Sequence, residues 1–233
     1  MKIFSISDLH LSGLSDKPMD VFGKGWENHF EKIKEDWKAR VTDGDVVLIA
    51  GDISWGTTLD EGLYDLRSLK ELKGKKVFIR GNHDYWWNGI TKLRRAAPDD
   101  SFYFLQNDCV KIGKYVICGS RGWCCPGSSD FTDDDMRLYL REAERFKLCF
   151  KEVEKVRAEG DVIIAMIHYP PFSGKSPDTE FTRLFEEAGV SKVVFGHVHG
   201  ETFFPFRTVK NGVEYSLTSC DKVNFTLQLI CGE

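Results

Sequence analysis

No apolar run in the chain approaches the roughly 20 residues needed to cross a bilayer, so an integral membrane protein is not expected. Cysteine never occurs as a Cys-x-x-Cys pair, and the seven cysteines are odd in number. A chain of 233 residues has no need of a disulfide framework, so reduced thiols and a cytoplasmic location are expected, the adjacent Cys124 and Cys125 included. A surplus of positive charge is also missing. The net charge of −4 gives no global electrostatic footprint for nucleic acid. A leader is not expected either, since Met1-Lys2 run directly into Ile3-Phe4-Ser5-Ile6. Repeats, low-complexity tracts and linkers are lacking, so residues 1–233 are expected to form one domain.

What is present is an ordinary globular balance, 42% hydrophobic and 29% charged, enough apolar material for a large core. Short apolar runs rich in β-branched residues mark strands at 2–7, 45–50, 76–80, 115–118, 161–167, 192–195, 212–217 and 224–230. Between them lie helical patterns. Trp26, Phe30, Ile33 and Trp37 share one face, and Thr57 or Thr58 caps a segment carrying Leu59, Leu63 and Leu66 that Gly74 stops. Thr132 before three aspartates starts a long helix that ends near Gly160, and Ser176-Pro177 opens a last one through Phe181, Leu184, Phe185 and Ala188. Strand–helix alternation followed by a run of strands predicts an α/β sandwich with mixed sheets.

Five of the strands end in polar clusters: Asp8-Leu9-His10, Gly51-Asp52, Gly81-Asn82-His83-Asp84, His168, and Gly196-His197-Val198-His199. Groups at the carboxyl ends of strands in an α/β sheet converge on one crevice. Of six histidines, five sit at these ends, and only His29 lies elsewhere, as an exposed helix residue. One such histidine would be unremarkable, but five in company with Asp8, Asp52 and Asn82 form a metal signature. Imidazole and carboxylate donors without thiolates suit Mn, Fe or Zn and argue against a structural zinc cluster.

The order DLH, GD, GNHD, a lone His after an apolar strand, and GHVH from residue 8 to residue 199 resembles the calcineurin-like metallophosphoesterase superfamily. Within it, the nearest likeness is to an uncharacterised bacterial branch of predicted phosphohydrolases. The resemblance implies a pair of mixed β-sheets flanked by helices, holding two divalent transition-metal ions. By that resemblance Asp8, His10, Asp52 and His199 bind the first ion. Asp52, Asn82, His168 and His197 bind the second, making Asp52 the bridge. His83 would be a non-ligand catalytic histidine that protonates or stabilises the leaving oxygen, with Asp84 holding its imidazole. Two ions lower the pKa of a bridging water, so that hydroxide attacks in line and no protein nucleophile is needed. Their four positive charges, set against Asp8, Asp52 and hydroxide, leave a net charge that favours an anionic phosphate.

The implied reaction is hydrolysis of a phosphomonoester or phosphodiester on a small molecule, a nucleotide among the candidates. A nuclease of single strands or ends is the alternative within the same chemistry, and a non-catalytic protein-binding scaffold the alternative outside it. Protein serine/threonine phosphatases of the superfamily carry Asp-Arg-Gly soon after GD. Here the chain reads Gly51-Asp52-Ile53-Ser54-Trp55-Gly56, against a phosphoprotein substrate. Trp55, Tyr85 and Arg121 are the candidate substrate contacts, the aromatics for stacking and the arginine for phosphate. Trp86, Trp87 and Trp123 beside them are expected to pack loops, as most bulky aromatics do.

Overall fold

The computed structural model describes residues 1–129, 131–200 and 204–232. The first half of the chain runs β1 (Ile3–Ile6), α1 (His29–Arg40), β2 (Val46–Ile49), α2 (Leu59–Arg67), β3 (Lys75–Phe78), α3 (Ile90–Arg95) and β4 (Phe102–Phe104). The second runs β5 (Asp108–Ile112), β6 (Tyr115–Ser120), α4 (Asp133–Val156), β7 (Val162–Ile167), α5 (Glu180–Glu187), β8 (Lys192–Phe195), β9 (Arg207–Lys210), β10 (Val213–Leu217) and β11 (Gln228–Cys231). One sheet has the order β11-β1-β2-β3-β4 and the other β5-β6-β7-β8-β10-β9. Both are mixed: β1 to β4 run parallel with β11 antiparallel, while β6, β7, β8 and β10 run parallel between antiparallel edges β5 and β9.

The strands are apolar on both faces because both faces are covered. Val46, Leu48, Val77 and Ile79 of one sheet meet Ile117, Ile164, Met166 and Val194 of the other in a central core. The alternate residues Val47, Ile49 and Phe78 face Ile33 and Trp37 of α1, Leu63 and Leu66 of α2, and Leu93 of α3. On the far side, Val116, Ile163, Ala165 and Val193 pack against Tyr139 and Phe146 of α4 and Phe181 and Phe185 of α5. The expected α/β sandwich of two mixed sheets flanked by helices is the observed architecture.

Several local expectations need correction. The last helix is capped by Thr179, whose hydroxyl accepts from the Thr182 amide at 3.2 Å, because Ser176 is held in a turn with Ser173. The long helix α4 stops at Val156, before Gly160. The 224–230 run is strand only from Gln228, since Asn224 and Phe225 take positive φ in a turn. Three strands and α3 have no clear sequence pattern. β4 is three residues long, β5 and β9 are partly exposed edges carrying charged side chains, and α3 is one short basic segment.

The seam between the sheets brings strand ends from both of them together. Ser7 bridges Ser219 in parallel register, with the Ser7 amide on the Thr218 carbonyl and the Cys220 amide on the Ser7 carbonyl. The carboxyl ends of β1 and β10 thereby meet at one end of the sandwich. No helix among the described residues is long and apolar enough to cross a membrane.

Candidate metal centre

Asp8, His10, Asp52 and His197 all adopt left-handed backbone, with φ between 47° and 71°. Such conformations cost about 1–3 kcal/mol each in non-glycine residues and persist only where surrounding structure over-determines them. Here that structure is a set of amide bonds between neighbouring strand ends. The Asp8 amide donates to the Gly51 carbonyl and the His10 amide to the Asp52 carbonyl. Glycine is required where these loops touch. A Cβ on Gly81 would lie 2.1 Å from Asp52 Oδ1, and one on Gly196 would lie 2.4 Å from Asp8 Oδ2.

The seven sequence-derived ligand candidates come together in one cluster. Ligand atoms of Asp8, His10 and His199 lie within 4.8 Å of one another, and so do those of Asp8, Asp52 and His168. Asp8 belongs to both groups, and Asp52 Oδ2 of the second, 3.4 Å from His168 Nε2, also lies 3.9 Å from His10 Nε2 of the first, while Oδ1 accepts the His83 amide at 2.8 Å. Asn82 Oδ1 is 2.7 Å from His168 Nε2 and 2.9 Å from His197 Nδ1.

The electrostatics describe a site that calls for cations. Asp8 and Asp52 are wholly buried, and the charged partners recorded for them among the described residues are imidazoles. Burial alone would raise the Asp8 carboxyl, yet His199, with His168 and His10, holds it well below the usual range. Burial likewise opposes charge on His168 and His199. Asp52 nevertheless lifts His168 to about 9, and Asp221 with Asp8 lifts His199 to about 10. His10 and His197, where burial dominates, drop to about 4. Buried carboxylates that draw protons onto adjacent imidazoles are suited to bind divalent ions instead. The buried Nδ1 of His10 also lacks a hydrogen-bond partner among the described residues. The donor set therefore fits a metal centre.

Two supporting residues escaped the sequence reading. Asp221 holds His199 by its Nδ1 at 2.9 Å and takes the Gly200 amide at 3.0 Å, so that Nε2 is the nitrogen facing Asp8. It stands just beyond β10, where the strand-end rule would have found it. Such outer contacts set ligand tautomer and orientation. Asp221→Ala is expected to weaken metal affinity about 10- to 100-fold, measured by titration against a competing chelator; unchanged affinity would remove Asp221 from the site. His29 is the second. Far from being an exposed helix residue, it is half-buried, with Nε2 2.9 Å from the Leu9 carbonyl and its ring against Trp26 and Phe225. It braces the loop that carries Asp8 and His10. His168 is oriented in the same way, by Nδ1 on the Ala50 carbonyl at 2.9 Å.

Asp84 does not hold the His83 imidazole as expected. Its buried carboxylate accepts the amides of Gly81, Asp52, Ile53 and Ser54 at 2.7 to 3.2 Å and the Trp86 indole at 3.0 Å. Burial and the Asp52 charge push it up to about 6 against the pull of those amides. His83 lines the cleft with its Nδ1 unpartnered, and burial lowers its pKa.

The cleft beside the cluster encloses about 440 Å³, within the range of small-molecule sites. Its apolar wall is Met19, Phe22, Trp26 and Trp55, the first three from two 3₁₀ turns (Met19–Phe22 and Lys24–Trp26) in the connection after β1. Trp55 is in the cleft, stacked on His10 at 4.8 Å, with Lys17 over its ring at 4.3 Å. Tyr85 is exposed beside it, its ring edge-on to His83 at 6.2 Å. Arg121 is not in the cleft: it lines a separate cavity behind the Asn82 and His168 loops. Trp86 and Trp87 are core residues, in line with the packing expectation, and the indole of Trp123 donates to Asp135.

Comparison with known proteins agrees with this arrangement. A probable cyclic nucleotide phosphodiesterase of Xenorhabdus bovienii is 25% identical over 126 residues, 49% of this chain and 50% of that protein. The chain thus matches about half the length of that curated relative. The phosphopantetheinyl hydrolase of Mycobacterium tuberculosis shares the fold, with a TM-score of 0.58 at 13% identity over 100% of this chain and 96% of the other. The sequence pattern of the calcineurin-like phosphoesterases matches residues 1–201, and the chain belongs to that family.

Proposed function

We propose that the protein hydrolyses a phosphomonoester or phosphodiester of a small molecule at a dinuclear metal site. The observation that carries this reading is the pair of donor groups, Asp8-His10-His199 and Asp8-Asp52-His168, with Asp52 Oδ2 of the second also 3.9 Å from His10 Nε2 of the first. Asp8, His10, Asp52 and His199 would hold one ion; Asp52, Asn82, His168 and His197 would hold the other. When bound, two divalent ions supply an activated water and the positive charge that clamps phosphoryl oxygens. The chain's own contribution is placement. Asp52 is fixed through Oδ1 by the His83 amide, which leaves Oδ2 directed between the two groups. His83, whose ring lines the cleft beside the donor groups, is positioned to give a proton to the leaving oxygen. The Met19–Phe22–Trp26–Trp55 wall receives the apolar or aromatic part of the ester. The named activity of the Xenorhabdus relative supports a small phosphate ester, and the net charge of −4 weighs against the nuclease alternative.

Elemental analysis of the purified protein is expected to find about two transition-metal ions per chain, as a two-metal site requires. Turnover of bis-nitrophenyl or nitrophenyl phosphate should disappear on chelation and return with Mn, Fe or Zn. Asp52→Ala is expected to empty both positions, because it removes the carboxylate between the groups. Protein that carries no metal and is indifferent to chelator would end the proposal.

A further inference from the structure

Behind the loops that carry Asn82 and His168 lies a second cavity of about 160 Å³, lined by Arg80, Arg121, Arg141 and Arg145 together with Gln106, Asn107 and Ser120. At that size it is below the range of whole-ligand sites, about 300–1,000 Å³, and suits a single compact ion. Beneath it Glu142 is wholly buried. Its carboxylate lies 2.6 Å from Arg145, 3.3 Å from Arg141 and 3.8 Å from Arg121, and Ser120 Oγ donates to it at 3.3 Å.

A network serving only to neutralise Glu142 would be complete with Arg145, which already makes a short ion pair. The chain instead gathers four guanidinium groups against one carboxylate, leaving three positive charges unbalanced around one small cavity. Arg80 has no carboxylate partner among the described residues; its Nε donates to the Asp84 carbonyl at 3.2 Å. Arg121 is largely buried, with Cζ over the Trp123 ring at 4.8 Å, and its buried Nε has no hydrogen-bond partner among the described residues. Arg141 and Arg145 stay partly open to solvent, and like charges held this close repel one another unless an anion joins them. Guanidinium groups in this number, with fixed planes and free N–H donors, match the oxygens of a phosphate.

We infer that this cavity is a second anion site, taking a phosphate group or an equivalent multivalent oxyanion. Its place gives it a route to the metal cluster. Arg80 directly precedes Gly81-Asn82, and the Arg121 carbonyl accepts the amides of His168 at 3.0 Å and Tyr169 at 3.4 Å. The occupant is either a further phosphate of the substrate or a separate free anion, and both present the same oxygens to the arginines.

The test uses the metal-loaded protein and inorganic phosphate as the probe, followed by calorimetric titration. The wild type is expected to bind phosphate at two sites per chain, one at the metals. Arg80→Gln/Arg141→Gln leaves Arg121 and Arg145 to pair Glu142, so folding, checked by thermal melting, is expected to persist. At the second site this variant should weaken phosphate binding about 100-fold or more, since charge-assisted bonds contribute about 1.5–3 kcal/mol each. Binding at the metals should be unchanged. If the double variant melts early, Arg141→Gln alone carries the comparison, with a smaller expected loss of about 10-fold. Identical isotherms for wild type and variant, with no phosphate site lost, would overturn the inference. Steady-state kinetics separate the two sources. A KM raised for esters bearing a second phosphate, and unchanged for those with one, assigns the cavity to substrate. An unchanged KM for both, with phosphate binding still lost, assigns it to a free anion.

Discussion

His83→Ala is expected to leave the metal content unchanged and to lower turnover by about 10²–10⁴-fold, the usual contribution of a positioned proton donor. Retention of metal follows from which atom of residue 83 supports the cluster. Asp52 Oδ1 accepts the backbone amide of His83, and alanine keeps that amide. What alanine removes is the imidazole, whose Nδ1 makes no bond to the protein and whose ring borders the cleft. The loss should depend on the leaving group. Esters of nitrophenol, whose anion departs readily, need little protonation and should be affected least, whereas alkyl esters should suffer most. Metal analysis beside kinetics on the two ester types checks both halves. A variant that loses its metal, or that slows both esters equally, would show that His83 supports the site by structure and not by proton transfer.

The gathering of the candidate ligands was legible because these residues are local signals repeated at equivalent places, each a polar group directly after a buried parallel strand. The same regularity gave the two-sheet core, whose strands are apolar on both faces. Short or edge elements were not legible. β9, with Arg207 and Lys210, has the composition of a loop, and β4 gains its identity only by pairing with β3. Supporting contacts were hidden for a different reason. His29 reaches Leu9 across a separation that no periodicity encodes, whereas Asp221 follows β10 at a strand end and could have been found there. Arg121 illustrates the limit. Its charge was visible beside the motifs, but only the packing of α4 against β6 shows that it faces Glu142 and not the cleft. The cleft wall is another such case, since Met19 and Phe22 come from a connection with no pattern of its own, and Trp26, which shares the helical spacing of Phe30, Ile33 and Trp37, sits in a 3₁₀ turn ahead of α1.

Asp84→Ala should be among the most damaging single substitutions in the molecule, through folding before catalysis. The carboxylate gathers four backbone amides, from Gly81, Asp52, Ile53 and Ser54, and the indole of Trp86. Those amides belong to the loops after β2 and β3, so one side chain ties together the two turns that present Asp52 and Asn82. All are buried at this point, and a methyl group in place of the carboxylate leaves each donor without an acceptor. An unsatisfied buried donor costs about 1–3 kcal/mol. Several at once approach the whole net stability of an ordinary domain, about 5–15 kcal/mol. Asp84→Asn keeps one acceptor oxygen but turns an amide N–H₂ toward groups that are themselves donors, so its loss should be intermediate. Trp86 adds to the penalty, because its ring packs on Gly62, where a Cβ would lie 2.3 Å from the indole. Neither residue can shift to close the gap. Urea unfolding of wild type and both variants, with metal content measured alongside, gives the comparison. The alanine variant is expected to fail to accumulate as folded protein or to lose several kcal/mol, with asparagine between it and wild type. If Asp84→Ala unfolds within about 1 kcal/mol of wild type, the value of a single hydrogen bond, the carboxylate does not tie the two loops together.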